Sequence, residues 1–255
     1  MARNLYSASI YKDACGVCVD DNDKTGCQIR CVRMVDFCDG GSYTWTVPTG
    51  VTKLTIEAWG GGGGGAGVCC CDCYHLSHGG SGGGYTAATI DTVAGCSYTV
   101  CVGRGGNEDV TGKLGRHWCC FGKDGETSYV TGYNLSASFC ATGGGGAAMN
   151  GDGCHMHCGC YSNAPGCGSG GNAYGNGAPG GQAMYSTAEP RSLGYAGGAA
   201  FTAGTKMFSH EHCSQCRPGD AGALPGGGGD GPRNYNCCCY QAGNGGTGLV
   251  RIRFE

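Results

Sequence analysis

The sequence predicts an all-β protein, a small β-sandwich or jelly-roll-like sheet carrying long glycine-rich and cysteine-rich insertions. Three observations carry that expectation. Short runs at 43–47, 51–59 and 249–254 alternate bulky apolar residues with threonine or charge, the period of strands buried on one face. Glycine supplies 56 of 255 residues without the strict triplet of collagen. Between the alternating runs lie glycine tracts and turn residues, and the hundred residues before the last run show no convincing strand or helix pattern.

Residues 1–41 read as a separate cysteine-rich docking segment, with a short strand at 5–11 and five cysteines between Cys15 and Cys38. A cover stapled onto the following domain is the alternative. The domain proper spans 42–255. Its first strand, Tyr43-Thr44-Trp45-Thr46-Val47, ends at Pro48-Thr49-Gly50, where proline pre-sets one backbone angle and glycine tolerates positive φ. The second, 51–59, then folds back beside the first or crosses to a facing sheet. Leu54, Ile56 and Ala58 share one side of it and Lys53, Thr55 and Glu57 the other.

Six glycines at 60–65 follow, then a Cys/His excursion and a second tract at 79–84. Residues 85–93 and 97–103 read as a hairpin around Ala94-Gly95-Cys96. Residues 126–131 and 135–142 form another strand pair. An irregular glycine- and cysteine-rich insertion occupies 143–246, and 249–254 closes the sheet with Val250, Ile252 and Phe254 inward and Arg251 and Arg253 outward.

So much glycine has an energetic consequence. Each glycine in a regular element costs roughly 0.5–1 kcal/mol relative to alanine, against a net domain stability of about 5–15 kcal/mol. Two devices offset it: cross-links through the 23 cysteines, and polyglycine-II-like packing, in which only glycine lets extended three-fold, left-handed chains approach closely enough for dense backbone bonding.

The phrase YTWTVPTGVTKLTIEAWGGGGGG, the central pair at 84–103 and the closing GGTGLVRIRF resemble, in order, the glycine-rich domain of tail fibres, adhesins and other virion proteins of tailed bacteriophages. The resemblance covers 42–255; the cysteines and the segment before Ser42 depart from it. It implies a structural virion protein, a tail-fibre, adhesin or surface-appendage subunit that contacts the host surface. Implied partners are other virion proteins, further copies of the chain as a homo-oligomer, and a host cell-surface receptor.

Charge and hydropathy narrow the classes further. The net charge is -3 with scattered basic residues, so nucleic acid is not an expected partner. No run approaches the roughly 18 apolar residues of a membrane span, and the first residues lack the apolar core of a signal peptide, so no membrane insertion is expected. Synthesis in the host cytoplasm, followed by oxidation on the surface of a released virion, reconciles that start with the high cysteine content.

Every histidine lies within five residues of a cysteine. Thiolate and imidazole are ligands for zinc, and thiolate alone for iron-sulfur clusters, so zinc or iron is the expected cofactor if there is one. The candidate ligands are Cys15, Cys18, Cys27 and Cys31; His210, His212, Cys213 and Cys216; Cys154, His155, His157, Cys158 and Cys160; and Cys71, Cys73, His75 and His78. Disulfide bonding is the simpler reading for most cysteines, though the odd total leaves at least one without an intrachain partner. No enzyme is expected: neither HExxH nor GxxxxGK[ST] occurs, and His210-Glu211-His212 has the wrong spacing for a zincin helix. Tyrosines among small polar residues have the composition of an adaptable binding surface, which makes Tyr161, Asn163, Tyr174, Asn176 and Tyr235 candidate receptor contacts. Two other functions compete with the adhesin: a capsid decoration or filament/sheath-like assembly protein cross-linked through cysteines, and a Cys/His metal-binding structural module.

Overall fold

The computed structural model describes residues 33–69, 79–114, 117–147, 164–176, 219–231 and 241–254. Among them there is no helix, and the all-β expectation holds. The strands are β1 (Arg33–Phe37), β2 (Gly41–Thr46), β3 (Lys53–Trp59), β4 (Gly67–Cys69), β5 (Tyr85–Asp91), β6 (Ser97–Val102), β7 (Glu108–Leu114), β8 (His117–Gly122), β9 (Ser128–Thr131), β10 (Cys140–Ala141), β11 (Gly168–Ser169), β12 (Ala173–Gly175) and β13 (Leu249–Phe254).

Two five-stranded antiparallel sheets face each other, ordered β1-β13-β3-β5-β12 and β11-β10-β9-β6-β2. The alternation read in the sequence sets the core between them. Leu54, Ile56 and Ala58 of β3 and Val250 and Ile252 of β13 are wholly buried against Trp45, Tyr98, Val100 and Val130 of the opposite sheet. A fully buried side chain of this kind contributes about 1.5–3 kcal/mol relative to exposure. The outer side of the first sheet carries charge instead: Arg251 grips Asp36 through two 2.8 Å bonds, and Arg253 lies 3.0 Å from Glu57.

One pairing expectation is corrected. Strands β5 and β6 are not a hairpin, because β5 pairs with β3 in the first sheet and β6 with β2 in the second. The crossings at 47–52 and 92–96 travel together from one sheet to the other. Thr92 N donates to Thr52 O, Gly95 N to Val47 O and Val47 N to Cys96 O, each at 2.9 Å. Gly50 (φ 85°) and Gly95 (φ 86°) take the left-handed turns that this paired corner requires. A short glycine-containing link between two alternating runs therefore marks a sheet-to-sheet corner here. Of the two routes open to the run at 51–59, the chain takes the crossing.

The expected pair at 126–142 is present, shortened to Tyr129 opposite Cys140 and Ser128 opposite Ala141. The intervening turn packs on Tyr98, whose hydroxyl donates to Tyr133 O at 2.8 Å. The insertion is less irregular than expected, since β11 and β12 extend the two sheets at one edge. At the opposite edge β1 pairs with β13 along its whole length, so residues 33–37, on the N-terminal side of the 41/42 boundary, are part of a sheet. The strand expected at 5–11 lies outside the described residues.

Candidate functional site: a glycine lattice and its far end

Beyond the sandwich, the glycine tracts assemble into a hexagonal bundle around residues 60–65. Successive N–H groups of this central tract address three neighbours in rotation. Gly60 and Gly63 donate to Gly84 O and Ser81 O, Gly61 and Gly64 to Glu126 O and Lys123 O, and Gly62 and Gly65 to Gly246 O and Gly243 O, all between 2.8 and 3.0 Å. Its carbonyls accept from three others, through Gly144 N and Ala147 N, Gly106 N, and Gly229 N. A partner that recurs every third residue is the signature of a three-fold extended helix.

The six neighbours also bond to one another in a closed ring. Ser81 donates to Gly145, Gly125 to Gly144, Glu126 to Arg104, Gly245 to Gly106, Gly246 to Gly227 and Gly80 to Gly229. The register shows that chain direction alternates around the ring. Tracts 103–107, 142–147 and 226–230 run with the central one, away from the sandwich; 79–84, 122–126 and 241–248 run back toward it. Two outer tracts fill grooves of the ring: 164–167 between 79–84 and 142–147, and 219–223 between 226–230 and 241–248. Side chains complete the bonding at the rim, as where Asp124 Oδ1 accepts from the buried Gly146 N at 2.8 Å and Glu126 Oε2 from Arg104 N at 3.0 Å.

The lattice explains the run of six glycines. A Cβ on Gly62 would stand 2.0 Å from Gly227 O, and one on Gly60 or Gly63 2.1 Å from a backbone oxygen of the 142–147 tract. No such approach is tolerable. Outer positions are free of this rule, so non-glycine residues recur every third place, at Arg104 and Asn107 and at Asn244 and Thr247. That period-three spacing is the signal that reading by strand patterns missed.

Because the ring alternates, several departures and re-entries of the chain share one end, although the departure after 176 starts from the sandwich edge. Tract 60–65 runs into β4, which with β8 and β7 forms a three-stranded sheet at the far end, and the chain returns at 79. The 142–147 tract departs there and 164 returns; 226–230 departs and 241 returns; 219 also enters from that end. The segments between these points contain six of the seven histidines, and the seventh, His117, is in β8.

The candidate ligand sets at Cys15–Cys31, Cys71–His78, Cys154–Cys160 and His210–Cys216 lie outside the described residues, as do Tyr161, Asn163 and Tyr235. Tyr174 and Asn176 are described. Tyr174 is 56 % exposed in edge strand β12, and Asn176 is exposed just after it, so both belong to the sandwich and not to the far end. Cys38, Cys96, Cys101, Cys140 and Cys167 are free thiols, and among the described residues no cluster of metal-ligating side chains occurs. The run 79–83 spells G-x-S-x-G, yet Ser81 is wholly buried with its backbone bonded within the lattice, which is not the exposed strand-to-helix turn of a nucleophile. Burial pushes three tyrosines up: Tyr43, Tyr98, and Tyr85 to about 12, where a 3.0 Å bond to the Glu57 carboxylate adds to the effect.

Comparison with curated proteins finds no match. The family model described as a glycine-rich domain matches residues 38–255, from the β1–β2 turn through the closing strand. By that match, spanning the sandwich from β2 onward and the whole lattice, the chain belongs to the glycine-rich domain family.

Proposed function

We propose that this chain is a structural virion protein of a tailed phage, a tail-fibre, adhesin or surface-appendage subunit whose lattice holds a binding end away from its attachment. The observation that carries this reading is the far end of the lattice, where the chain departs after 69, 147 and 231 and re-enters at 79, 164, 219 and 241. A bundle fixed by backbone bonds in every lateral direction holds these departure points together, while the sandwich and the segment before β1 are left for docking on the particle. The sequence resemblance to tail-fibre and adhesin domains points the same way. The role is non-catalytic: recognition comes from segments rich in tyrosine, asparagine, histidine and cysteine.

The test is adsorption. Particles in which residues 148–163 are replaced by a glycine-serine linker of equal length should keep the protein, as judged by mass spectrometry of purified particles, and adsorb to host cells more slowly. Unchanged adsorption, or absence of the protein from wild-type particles, refutes the reading. A second reading, a metal-carrying module, is favoured by the placement of the histidines; zinc or iron in stoichiometric amount in protein from its native source would support it.

A further inference from the structure

The paired tracts 79–84 and 226–230 hold the central tract on one side and form a groove on the other. Three-fold periodicity fixes which groups face that groove. Ser81 O and Gly84 O accept from the central tract and Gly82 O from Gly166 N, which leaves Gly80 O and Gly83 O for the third direction. Gly229 N donates to the central tract, and Gly227 N and Asp230 N to 219–223, which leaves Gly228 N. The two sets meet, since a Cβ on Gly228 would stand 2.0 Å from Gly80 O. Among the described residues nothing bonds these three groups, yet Gly80, Gly83 and Gly228 are buried, where an orphaned backbone N–H is rare.

We propose that this groove is the seat of the chain's own segment 177–180, Gly-Ala-Pro-Gly, taken up as a further outward tract in which Gly177 N donates to Gly83 O, Gly180 N to Gly80 O, and Gly228 N to Ala178 O. Direction names the segment first. Strand β12 lies on the side of β5 away from β3 and runs antiparallel to β5, so the chain leaves Gly175 toward the lattice, alongside 79–84. It next appears at 219, at the far end, so it has to pass along the outside of the bundle. Register agrees. The β3–β5 pairing runs on into the lattice, from Trp59 opposite Tyr85 to Gly60 N on Gly84 O and Gly63 N on Ser81 O. Gly175 opposite Tyr85, continued in the same way, brings Gly177 to Gly83 and Gly180 to Gly80.

Sequence agrees as well. Ala164-Pro165-Gly166 already fills the groove between 79–84 and 142–147, where Ala164 O accepts from Gly145 N at 3.0 Å and Gly166 N donates to Gly82 O at 2.9 Å. The same tripeptide recurs at 178–180, with the same two residues bonding. The glycines fall where the groove requires them. In the central tract each Cβ would point one step round the ring from the tract that its N–H addresses. Gly60 bonds 79–84 and would meet 142–147; Gly62 bonds 241–248 and would meet 226–230. By that rule Gly177 and Gly180 face 226–230, where only glycine fits, and Ala178 and Gly181 face outward. Pro179, which has no N–H, takes the position whose N–H addresses neither wall. So seated, the segment delivers the chain to the far end, and 182–218, with His210, His212, Cys213 and Cys216, begins and ends there.

Amide exchange of the isotope-labelled full chain, read residue by residue by NMR, tests this. Gly228 N–H should exchange as slowly as Gly229 N–H. Gly180→Val should speed Gly228 at least tenfold while Gly62 and Gly64 stay protected, which shows that the lattice still stands; Gly177→Val should do the same, and Gly181→Val should change nothing. Free exchange of Gly228 in the wild type overturns the proposal. So does protection that survives both blocking valines, the result expected if a glycine tract of another chain fills the groove, or protection lost equally with Gly181→Val. The inference does not depend on the host-surface role.

Discussion

The sandwich and the glycine lattice solve the same problem with opposite materials. In the sandwich, side chains such as Leu54, Ile56, Val250 and Ile252 exclude water, and the backbone bonds within each sheet leave the faces to them. In the lattice there are almost no side chains to bury, and each tract bonds sideways in several directions at once. A neutral backbone bond contributes about 0.5–1.5 kcal/mol net, similar to the penalty of one glycine relative to alanine. The lattice therefore stands because its bonds are dense and no Cβ intervenes, where the sandwich stands on apolar area. The two regions should tolerate opposite kinds of substitution.

The largest effect is expected at the lattice centre. Gly62→Val drives a branched side chain into the carbonyl of Gly227 and should cost more than about 5 kcal/mol, read as loss of the cooperative thermal transition; a variant that melts like the wild type would remove the lattice from the structure. In the sandwich, Leu54→Ala leaves a cavity and should cost about 2–5 kcal/mol by denaturant unfolding. At the lattice rim, Asp124→Ala leaves the buried Gly146 N–H without its carboxylate partner and should cost about 1–3 kcal/mol, which a matched thermal comparison measures. Tyr85 gives a smaller, pH-dependent effect. Its folded pKa, about 12, lies above the ordinary 10.0, so folding favours the neutral phenol. That contribution is complete below pH 10 and fades as pH rises through about 12; Tyr85→Phe should flatten the alkaline fall in the thermal midpoint without changing its acid limb. The smallest effect is expected at Asn107, an exposed position of the period-three series, where alanine should stay within about 0.5 kcal/mol.

How much of this was legible in the sequence follows from the same contrast. Strands β2, β3, β6 and β13 announce themselves because burial on one face forces alternation, visible at Leu54-x-Ile56-x-Ala58 and Val250-x-Ile252-x-Phe254. Which sheet each joins is not written locally; the Gly95 corner looks like a hairpin turn until its partner corner at Gly50 is in place beside it. Strands β11 and β12, two and three residues of small side chains plus Tyr174, are too short to carry a period. The lattice was legible only as a possibility at 60–65, since mixed tracts such as Gly122-Lys123-Asp124-Gly125-Glu126 show their glycines only where a neighbour presses. Of the candidate contacts, Tyr174 and Asn176 are placed and sit on the sandwich edge, a position that composition alone does not encode.

The alternation of chain direction around the central tract also decides how the molecule carries load. A pull on the far end travels along the tract axes, whereas the bonds joining Gly60 through Gly65 to their six neighbours run sideways. Traction therefore meets those bonds in shear, many at a time, instead of peeling them singly. Slippage then requires a whole tract to move at once, and force along the tracts reaches the sandwich at several strands together.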